Sequence, residues 1–267
     1  MHADLRSDLA LALELADEAD AITTARFRAH DLHVEQKPDL TPVSEADRAV
    51  EETIRARLLR ERPNDAVLGE ERGASGEGPR RWIVDPIDGT MSYVRGVPVW
   101  ATLLALEVDG EVVVGVVSAP ALGRRWWGAR GGGAFADGDP IRVSEVHRLE
   151  DAHVCAPNER YFESGNHPRV RGLDQGWREI ARRSWRPVGF ADFWGHMLVA
   201  EGAVDVMVEP ILYLWDVAAL RPIVEEAGGR VSDLSGEGWA DDAPCVTTNG
   251  LLHDEVLALL TGAGERG

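Results

Sequence analysis

The segment at residues 82–90 reads Trp-Ile-Val-Asp-Pro-Ile-Asp-Gly-Thr, and it limits the possible folds more than any other part of the chain. Its three leading apolar residues indicate a buried strand, and two carboxylates follow, at Asp85 and Asp88. Carboxylates are costly to bury unless a cation or hydrogen-bond donors compensate their charge. The segment therefore predicts a strand that ends by presenting hard oxygen ligands in a cleft. Asp-Pro and Asp-Gly are also common turn dipeptides, so a plain turn is the alternative interpretation.

The charge and cysteine content restrict the possible partners. The chain of 267 residues has 28 Lys and Arg against 46 Asp and Glu, a net charge of −18, which disfavours nucleic acid and anionic membranes as partners. A phosphate ester would bind only where bound cations reverse the local sign. Two isolated cysteines, Cys155 and Cys245, fit a reducing compartment and predict a cytoplasmic protein. The acidic start at Asp4 and Asp8 does not resemble a secretion signal, and we expect no membrane span.

The order of the predicted elements indicates a mixed fold. Apolar spacing predicts a first helix, and Ser44 to Asp47 resembles a capping box that opens a second. Asp109-Gly110 predicts a hairpin between residues 101–108 and 111–118, whereas the Gly-rich residues 71–80 predict a mobile loop. Further along, we expect helices over residues 193–202, 217–227 and from 247 to 260, alternating with strands. This pattern predicts a layered α+β or α/β sandwich in two halves.

Three more acidic residues have the same character as the Asp85–Asp88 pair. Each has an alternative interpretation: Glu70 as a solvated loop acid, Asp216 as a helix N-cap and Asp47 as part of the capping box. Together they favour Mg²⁺, which prefers octahedral oxygen ligands. Two ions that share a carboxylate would stabilise the attacking and leaving oxygens of phosphoryl transfer.

The residues that follow Asp88 suit the same chemistry. The Thr90 hydroxyl could orient a water beside the ions. The backbone N–H groups of Gly89 and Thr90 would bind a phosphate if a helix begins there. Lys37 could pair with the acidic residues or with phosphate, or stay solvated.

Residues 68–71, 82–90 and 215–219 together resemble the three signatures of the inositol monophosphatase superfamily, in order and spacing. The resemblance implies a Mg²⁺-dependent phosphomonoesterase that acts without a covalent intermediate and forms a homodimer. It implies an α+β fold, the αβαβα layered sandwich of the inositol monophosphatase and sugar phosphatase type. Residues 1–150 would form an α+β half with most metal ligands, and residues 151–267 an α/β half with the substrate-binding residues and Asp216.

The resemblance also implies a role for individual residues. Two or three Mg²⁺ ions, or Mn²⁺ in their place, would be held by Glu70, Asp85, the carbonyl of Ile87, Asp88 and Asp216. Asp85 would bridge the first two ions, and a weaker third would bind Glu70, with Asp47 through water. The catalytic residues would be Glu70, Thr90 and Asp47, with Asp47 supporting Thr90 as it orients the attacking water.

Residues 37–44, 94–102, 189–194 and 198–205 are similar to the histidinol-phosphate phosphatase branch of this superfamily. Its substrate carries an ammonium and an imidazole, so the pocket should offer carboxylates such as Asp192 and Glu209. Asp192 could instead cap a helix, and Glu209 could accept from inositol hydroxyls. The predicted substrate-binding residues are Asp88, Gly89, Thr90, Gly189, Asp192, Glu209 and Asp216.

Two other functions remain as alternatives to a histidinol-phosphate phosphatase. One is a phosphatase of the same fold that acts on inositol 1-phosphate or on a range of sugar phosphates. The other is a non-catalytic regulator that binds a metal or an anion on this scaffold.

Overall fold

The computed structural model describes residues 3–38, 40–158, 162, 170, 172–239 and 242–262, so Asp39 of the predicted branch segment lies outside the described residues. The chain divides into two compact units. The first unit is Met1–Asp139 with Ala218–Ile223, and the second is Pro140–Val217 with Val224–Gly267. In the part of the chain that the structure describes, we find no helix with the length and apolarity needed to cross a membrane.

The described residues form eight α-helices and fifteen strands, besides two short 3₁₀ helices at Pro120–Leu122 and Leu149–Asp151. In chain order they are α1 Ala3–Arg26, β1 Val34–Gln36, β2 Pro42–Ser44, α2 Glu45–Glu61, β3 Ala66–Gly69, β4 Gly73–Ser75, β5 Arg80–Asp88, α3 Thr90–Val94, β6 Ala101–Val108, β7 Glu111–Ala119, β8 Arg124–Ala129, β9 Gly133–Ala136, β10 Asp139–Pro140, β11 His153–Ala156, α4 Leu173–Arg183, β12 Arg186–Gly189, α5 Asp192–Ala200, β13 Val206–Leu212, α6 Leu214–Val217, α7 Leu220–Glu226, β14 Arg230–Ser232, β15 Ala243–Thr248 and α8 His253–Thr261.

An eight-stranded sheet in the order β10-β9-β8-β7-β6-β5-β3-β4 organises the first unit. Helices α1 and α2 cover one face, where Leu15 and Ile54 pack with Trp82, Leu104 and Val116 of the sheet. Alternate residues of a strand point to opposite faces, so the strands bury apolar side chains on both sides. The hairpin predicted at Asp109-Gly110 is confirmed, because β6 and β7 pair antiparallel around it.

Residues 218–223 of the first unit run against strands β7 and β8 at two glycines. A Cβ atom on Gly115 would lie 2.1 Å from the carbonyl oxygen of Ala219. A Cβ atom on Gly128 would lie 2.8 Å from the carbonyl oxygen of Pro222. Contacts this short do not occur for real Cβ atoms, so both positions require glycine for close backbone packing.

A five-stranded sheet in the order β12-β11-β13-β15-β14 organises the second unit. Val154 and Val206 lie on one face, in a core with residues of α4 and α8. Cys155 and Met207 point to the opposite face, where α5 packs at Gly195. Helices on both faces of this sheet, together with the helix-covered sheet of the first unit, confirm the predicted α+β class.

Local signals predicted several elements correctly and missed others. The capping box at Ser44 and Asp47 is present, and α2 begins at the next residue. The helix expected over residues 217–227 is instead two short helices, α6 and α7. Pro222 explains the break, because it has no N–H to bond the carbonyl of residue 218 in a continuous helix. Thr247 and Thr248, expected to open the last helix, instead end strand β15, and α8 begins at His253.

Candidate active site

A β-bulge brings the carboxylates of Asp85 and Asp88 together. Asp85 pairs with Leu103 and Asp88 with Ala101, so β5 has one more residue than β6 in this interval. Residues three apart on a regular strand point to opposite faces, and a bulge reverses that alternation. One carboxylate oxygen of Asp85 lies within 4.8 Å of one of Asp88. This separation suits two ligands of one site, so the turn interpretation alone does not account for the segment.

Asp85 is buried, and its orientation is fixed by the backbone that follows it. The side chain is 2 % exposed, and its Oδ1 accepts a hydrogen bond of 3.0 Å from the N–H of Ile87. Asp88 is partly exposed at the end of the strand.

Glu70 lies beside the same end of β5. Strand β3 runs parallel to β5, and the N–H of Glu70 donates to the carbonyl of Val84 at 3.2 Å. The Lys37 ammonium forms ion pairs with Glu70 at 2.8 Å and Glu71 at 2.7 Å. Burial opposes the charge of Lys37, but the two carboxylates outweigh burial and raise its pKa. Of the three alternatives for Lys37, the structure shows the one in which it pairs with acidic residues.

Thr90 and Asp47 are in contact next to the aspartate pair. Thr90 Oγ1 lies 2.9 Å from the carbonyl oxygen of Ile87 and 3.3 Å from Asp47 Oδ1. The other Asp47 oxygen accepts from the backbone N–H of Ser44 at 2.8 Å. Asp47 is fully buried, and burial raises its pKa to about 6. The capping box therefore serves a second purpose, because it holds Asp47 against the Thr90 hydroxyl.

Gly89 gives the chain the sharp turn between β5 and α3. Its φ is +81°, in the left-handed region that favours glycine, and α3 begins at Thr90 as expected. The turn places the Thr90 hydroxyl one residue beyond the strand that carries both aspartates.

Glu51 contributes to this region, although no motif in the sequence points to it. It is fully buried on α2, where it forms an ion pair with Arg55 at 2.7 Å. Its carboxylate accepts from the backbone N–H groups of Glu71 and Arg72. A Cβ atom on Gly69 would lie 2.3 Å from that carboxylate, so the glycine makes room for it. The available signal was a charged residue three positions before Ile54, on the apolar face of a predicted helix.

In the second unit, the carboxylates of Asp192 and Glu209 interact by like-charge repulsion. Burial, and secondly the negative charge of Glu209, raise the pKa of Asp192 to about 7. The N-cap of α5 is Ala191, so the alternative interpretation of Asp192 as the capping residue is wrong. Gly189 ends the neighbouring strand β12 and is exposed.

Asp216 lies inside α6 and not at its cap. The helix begins at Leu214, and Asp216 Oδ2 accepts from the N–H of Tyr213 at 2.8 Å. The Tyr213 and Trp215 rings stack beside it with centroids 5.1 Å apart. Asp216 remains partly exposed, with one oxygen directed back to the helix start.

Comparison with known proteins agrees with these features. A family model described as "Inositol monophosphatase family" matches residues 4–263. The chain is 50% identical over 266 residues to the "Histidinol-phosphatase" of Streptomyces coelicolor, with 96% of this chain and 98% of that protein covered. It is 52% identical over 259 residues to the "Histidinol-phosphatase" of Mycobacterium tuberculosis, with 95% and 97% covered.

A solved structure shows the same fold over almost the whole chain. The inositol monophosphatase from Zymomonas mobilis matches with a TM-score of 0.84 and 30% identity, and the match covers 97% of this chain and 100% of that one. The predicted resemblance and fold type are thereby confirmed. The chain belongs to the inositol monophosphatase family.

Proposed function

We propose that this chain is a Mg²⁺-dependent phosphomonoesterase that hydrolyses L-histidinol phosphate to L-histidinol and phosphate in histidine biosynthesis. The observation that carries this proposal is the identity of 50% and 52%, over nearly the full chain, to two proteins named histidinol-phosphatase. Identity at this level over the whole length supports a shared substrate. We place the protein in the cytoplasm, as expected from its two free cysteines, and propose that it forms a homodimer.

The donor set in the first unit fits Mg²⁺. Asp85 and Asp88 present oxygens within 4.8 Å of each other, and hard carboxylate and carbonyl oxygens are the ligands that Mg²⁺ prefers. The proposed ligands of two or three ions, with Mn²⁺ as a possible substitute, are Glu70, Asp85, the Ile87 carbonyl, Asp88 and Asp216. Bound there, the ions would neutralise the phosphate oxygens and lower the pKa of a water molecule.

Residues of the chain would then position the reacting water. The Thr90 hydroxyl donates to the Ile87 carbonyl or to Asp47, so its oxygen would accept a hydrogen bond from that water. The backbone N–H groups of Gly89 and Thr90 would bind a phosphate oxygen. Three residues, Glu70, Asp47 and Thr90, would together orient the water for attack on phosphorus, with no covalent intermediate.

Asp192 and Glu209 would recognise the alcohol. Histidinol carries an ammonium group, and a cation would offset both the burial and, secondly, the charge of Glu209 that raise the pKa of Asp192. Gly189 would contribute its backbone to the same region. A neutral polyol offers no such compensation, so this pair favours a cationic leaving group.

The second candidate function is hydrolysis of inositol 1-phosphate. The 0.84 TM-score to an inositol monophosphatase favours it, and Glu209 could accept from hydroxyl groups. Phosphate release from histidinol phosphate, inositol 1-phosphate and an aryl phosphate, with Mg²⁺ and with EDTA, separates the candidates. A preference for inositol 1-phosphate of about tenfold, equal to ~1.4 kcal/mol, would refute the histidinol proposal. No phosphate release from any ester would instead favour a non-catalytic regulator.

A further inference from the structure

A hydrogen-bonded chain of buried side chains in the second unit ends on Glu209. His196 Nε2 lies 3.3 Å from Glu209 Oε2, and His196 Nδ1 lies 2.7 Å from Thr247 Oγ1. His196 and Thr247 are fully buried, and Glu209 is 7 % exposed. Three separate elements, α5, β13 and β15, supply these residues. None of this follows from the three family signatures, because His196 lies outside all of them.

The direction of the hydrogen bonds follows from the groups involved. An ionised carboxylate can only accept, so we assign the proton of the His196–Glu209 contact to Nε2. The Thr247 hydroxyl can then donate to Nδ1 of a neutral imidazole. Cys245 Sγ, 3.9 Å from the Thr247 oxygen, lies at the end of this hydrogen-bonded network opposite Glu209. The network therefore directs a donor at one oxygen of Glu209.

Besides His196, the described groups that interact electrostatically with Glu209 include one carboxylate and two thiols. Asp192 carries the same sign. The thiols of Cys155 and Cys245 also lie in its field, and burial raises the pKa of Cys155 to about 12, so this group stays neutral. A buried carboxylate without a donor would take up a proton or turn away.

We propose that His196 is a positioning residue whose hydrogen bond holds the Glu209 carboxylate toward the cationic part of the alcohol. This inference rests on the proposed function, because it assumes that Glu209 contacts the leaving group. Through His196, the chain would select phosphate esters of an amino alcohol over esters of a neutral alcohol. Thr247 would assist by holding the imidazole in the tautomer that donates from Nε2.

The test compares His196→Phe, which keeps a ring and removes both nitrogens, with His196→Gln, which retains a side-chain N–H. The matched control is His253→Phe. His253 is also fully buried in the second unit and also has two hydroxyl partners, Ser232 at 2.8 Å and Thr248 at 3.0 Å. KM and kcat are measured for histidinol phosphate and p-nitrophenyl phosphate with saturating Mg²⁺, alongside Tm.

We expect His196→Phe to raise KM for histidinol phosphate by about tenfold, as for loss of a hydrogen bond to a charged group. KM for p-nitrophenyl phosphate should change far less, so the rise in KM is selective for histidinol phosphate. His196→Gln should show a smaller selective rise. His253→Phe should lower Tm without any selective rise in KM. Equal changes in KM for both substrates in His196→Phe, or a selective rise in KM for histidinol phosphate in His253→Phe, would show that the role of His196 is purely structural and would overturn the inference.

Two further outcomes keep the tests distinct. If His196→Phe does not fold, Thr247→Val, which keeps the side-chain shape, should raise KM for histidinol phosphate in the same selective way, and an unchanged KM refutes the inference. Wild-type protein that prefers inositol 1-phosphate would refute the proposed function itself. If the wild-type protein prefers histidinol phosphate but neither His196→Phe nor Thr247→Val raises KM selectively for it, only the role of His196 is refuted.

Discussion

The backbone N–H of Glu71 donates a 2.8 Å hydrogen bond to Oε2 of Glu51, a fully buried carboxylate on α2. The other Glu51 oxygen accepts from the N–H of Arg72 at 3.2 Å. These two bonds fix the turn that directly follows Glu70. A residue of the second helix thereby controls the backbone next to a proposed metal ligand.

We expect Glu51→Gln to raise the Mg²⁺ concentration needed for half-maximal activity by about tenfold. The amide group would present an N–H to one backbone donor, so the turn after Glu70 would shift and cost about 1–3 kcal/mol of stability. Mg²⁺ titration of activity and urea unfolding measure the two effects. The matched control is Glu52→Gln, because Glu52 is exposed on the same helix and forms a surface ion pair with Arg72. An unchanged Mg²⁺ requirement would show that Glu51 does not influence the site.

Gly115→Ala should destabilise the protein by about 2 kcal/mol. The new methyl group would lie 2.1 Å from the Ala219 carbonyl oxygen, and backbone on both sides must move to relieve that overlap. Urea unfolding followed by circular dichroism gives the change in the free energy of unfolding. Gly238→Ala is the control, since a Cβ there meets nothing within 4 Å. Similar stability of the two variants would contradict the close packing of residues 218–223 on β7.

Asp88→Asn should abolish turnover and leave the fold intact. Asp88 is partly exposed at the end of β5, so losing its charge removes a proposed metal ligand without opening the core. Phosphate release, Mg²⁺ binding by calorimetry and Tm are measured together. Asp151→Asn, at an exposed position of the second unit, serves as the control. Joint loss of folding and activity in Asp88→Asn would point to a structural role instead.

The predictability of these features depends on how local their signals are. The capping box at Ser44 and the Asp109-Gly110 hairpin were correct because a few adjacent residues determine them. Strand β4 lies within residues expected to form a mobile loop, and it exists through its pairing with β3. Strand β15 was missed for the same reason, because its partners are distant in sequence.

The same distinction applies to the candidate site. The aspartates of β5 stand in one short motif, and the sequence alone singled them out. Glu51 and His196 carry no motif, and the contacts that matter here, Glu51 with the N–H of Glu71 and His196 with Glu209, join residues 20 and 13 positions apart. Their importance follows only from tertiary contacts, which a single sequence does not reveal.

Glu209→Ala should raise KM for histidinol phosphate more than it lowers activity on p-nitrophenyl phosphate. The proposed contact is with the alcohol, and the aryl ester lacks an ammonium group to lose. Steady-state kinetics on both substrates measure the difference. Glu237→Ala, on an exposed turn, is the control. Equal effects on the two substrates would exclude Glu209 from recognition of the leaving group.

Asp192→Asn should stabilise the protein at pH 8 and weaken its binding of histidinol phosphate. Burial and the charge of Glu209 raise the pKa of Asp192 to about 7, whereas an unfolded aspartate has a pKa of about 3.9. The folded state therefore binds more protons between these values, and stability falls as pH rises from about 4 to about 7. Asparagine removes the loss of stability that ionisation of Asp192 causes, and it tolerates the φ of +57° at this position.

The expected gain in the free energy of unfolding is about 1 kcal/mol at pH 8, because partial exposure reduces the full linkage value, and it should shrink at pH 5. Urea unfolding of wild type, Asp192→Asn and the exposed control Asp151→Asn at both pH values measures it. A gain of equal size at pH 5 and pH 8 would contradict a buried charge as its cause. A gain with the predicted pH dependence, together with a raised KM for histidinol phosphate, would mean that the chain retains a destabilising carboxylate because the ammonium of its substrate needs it.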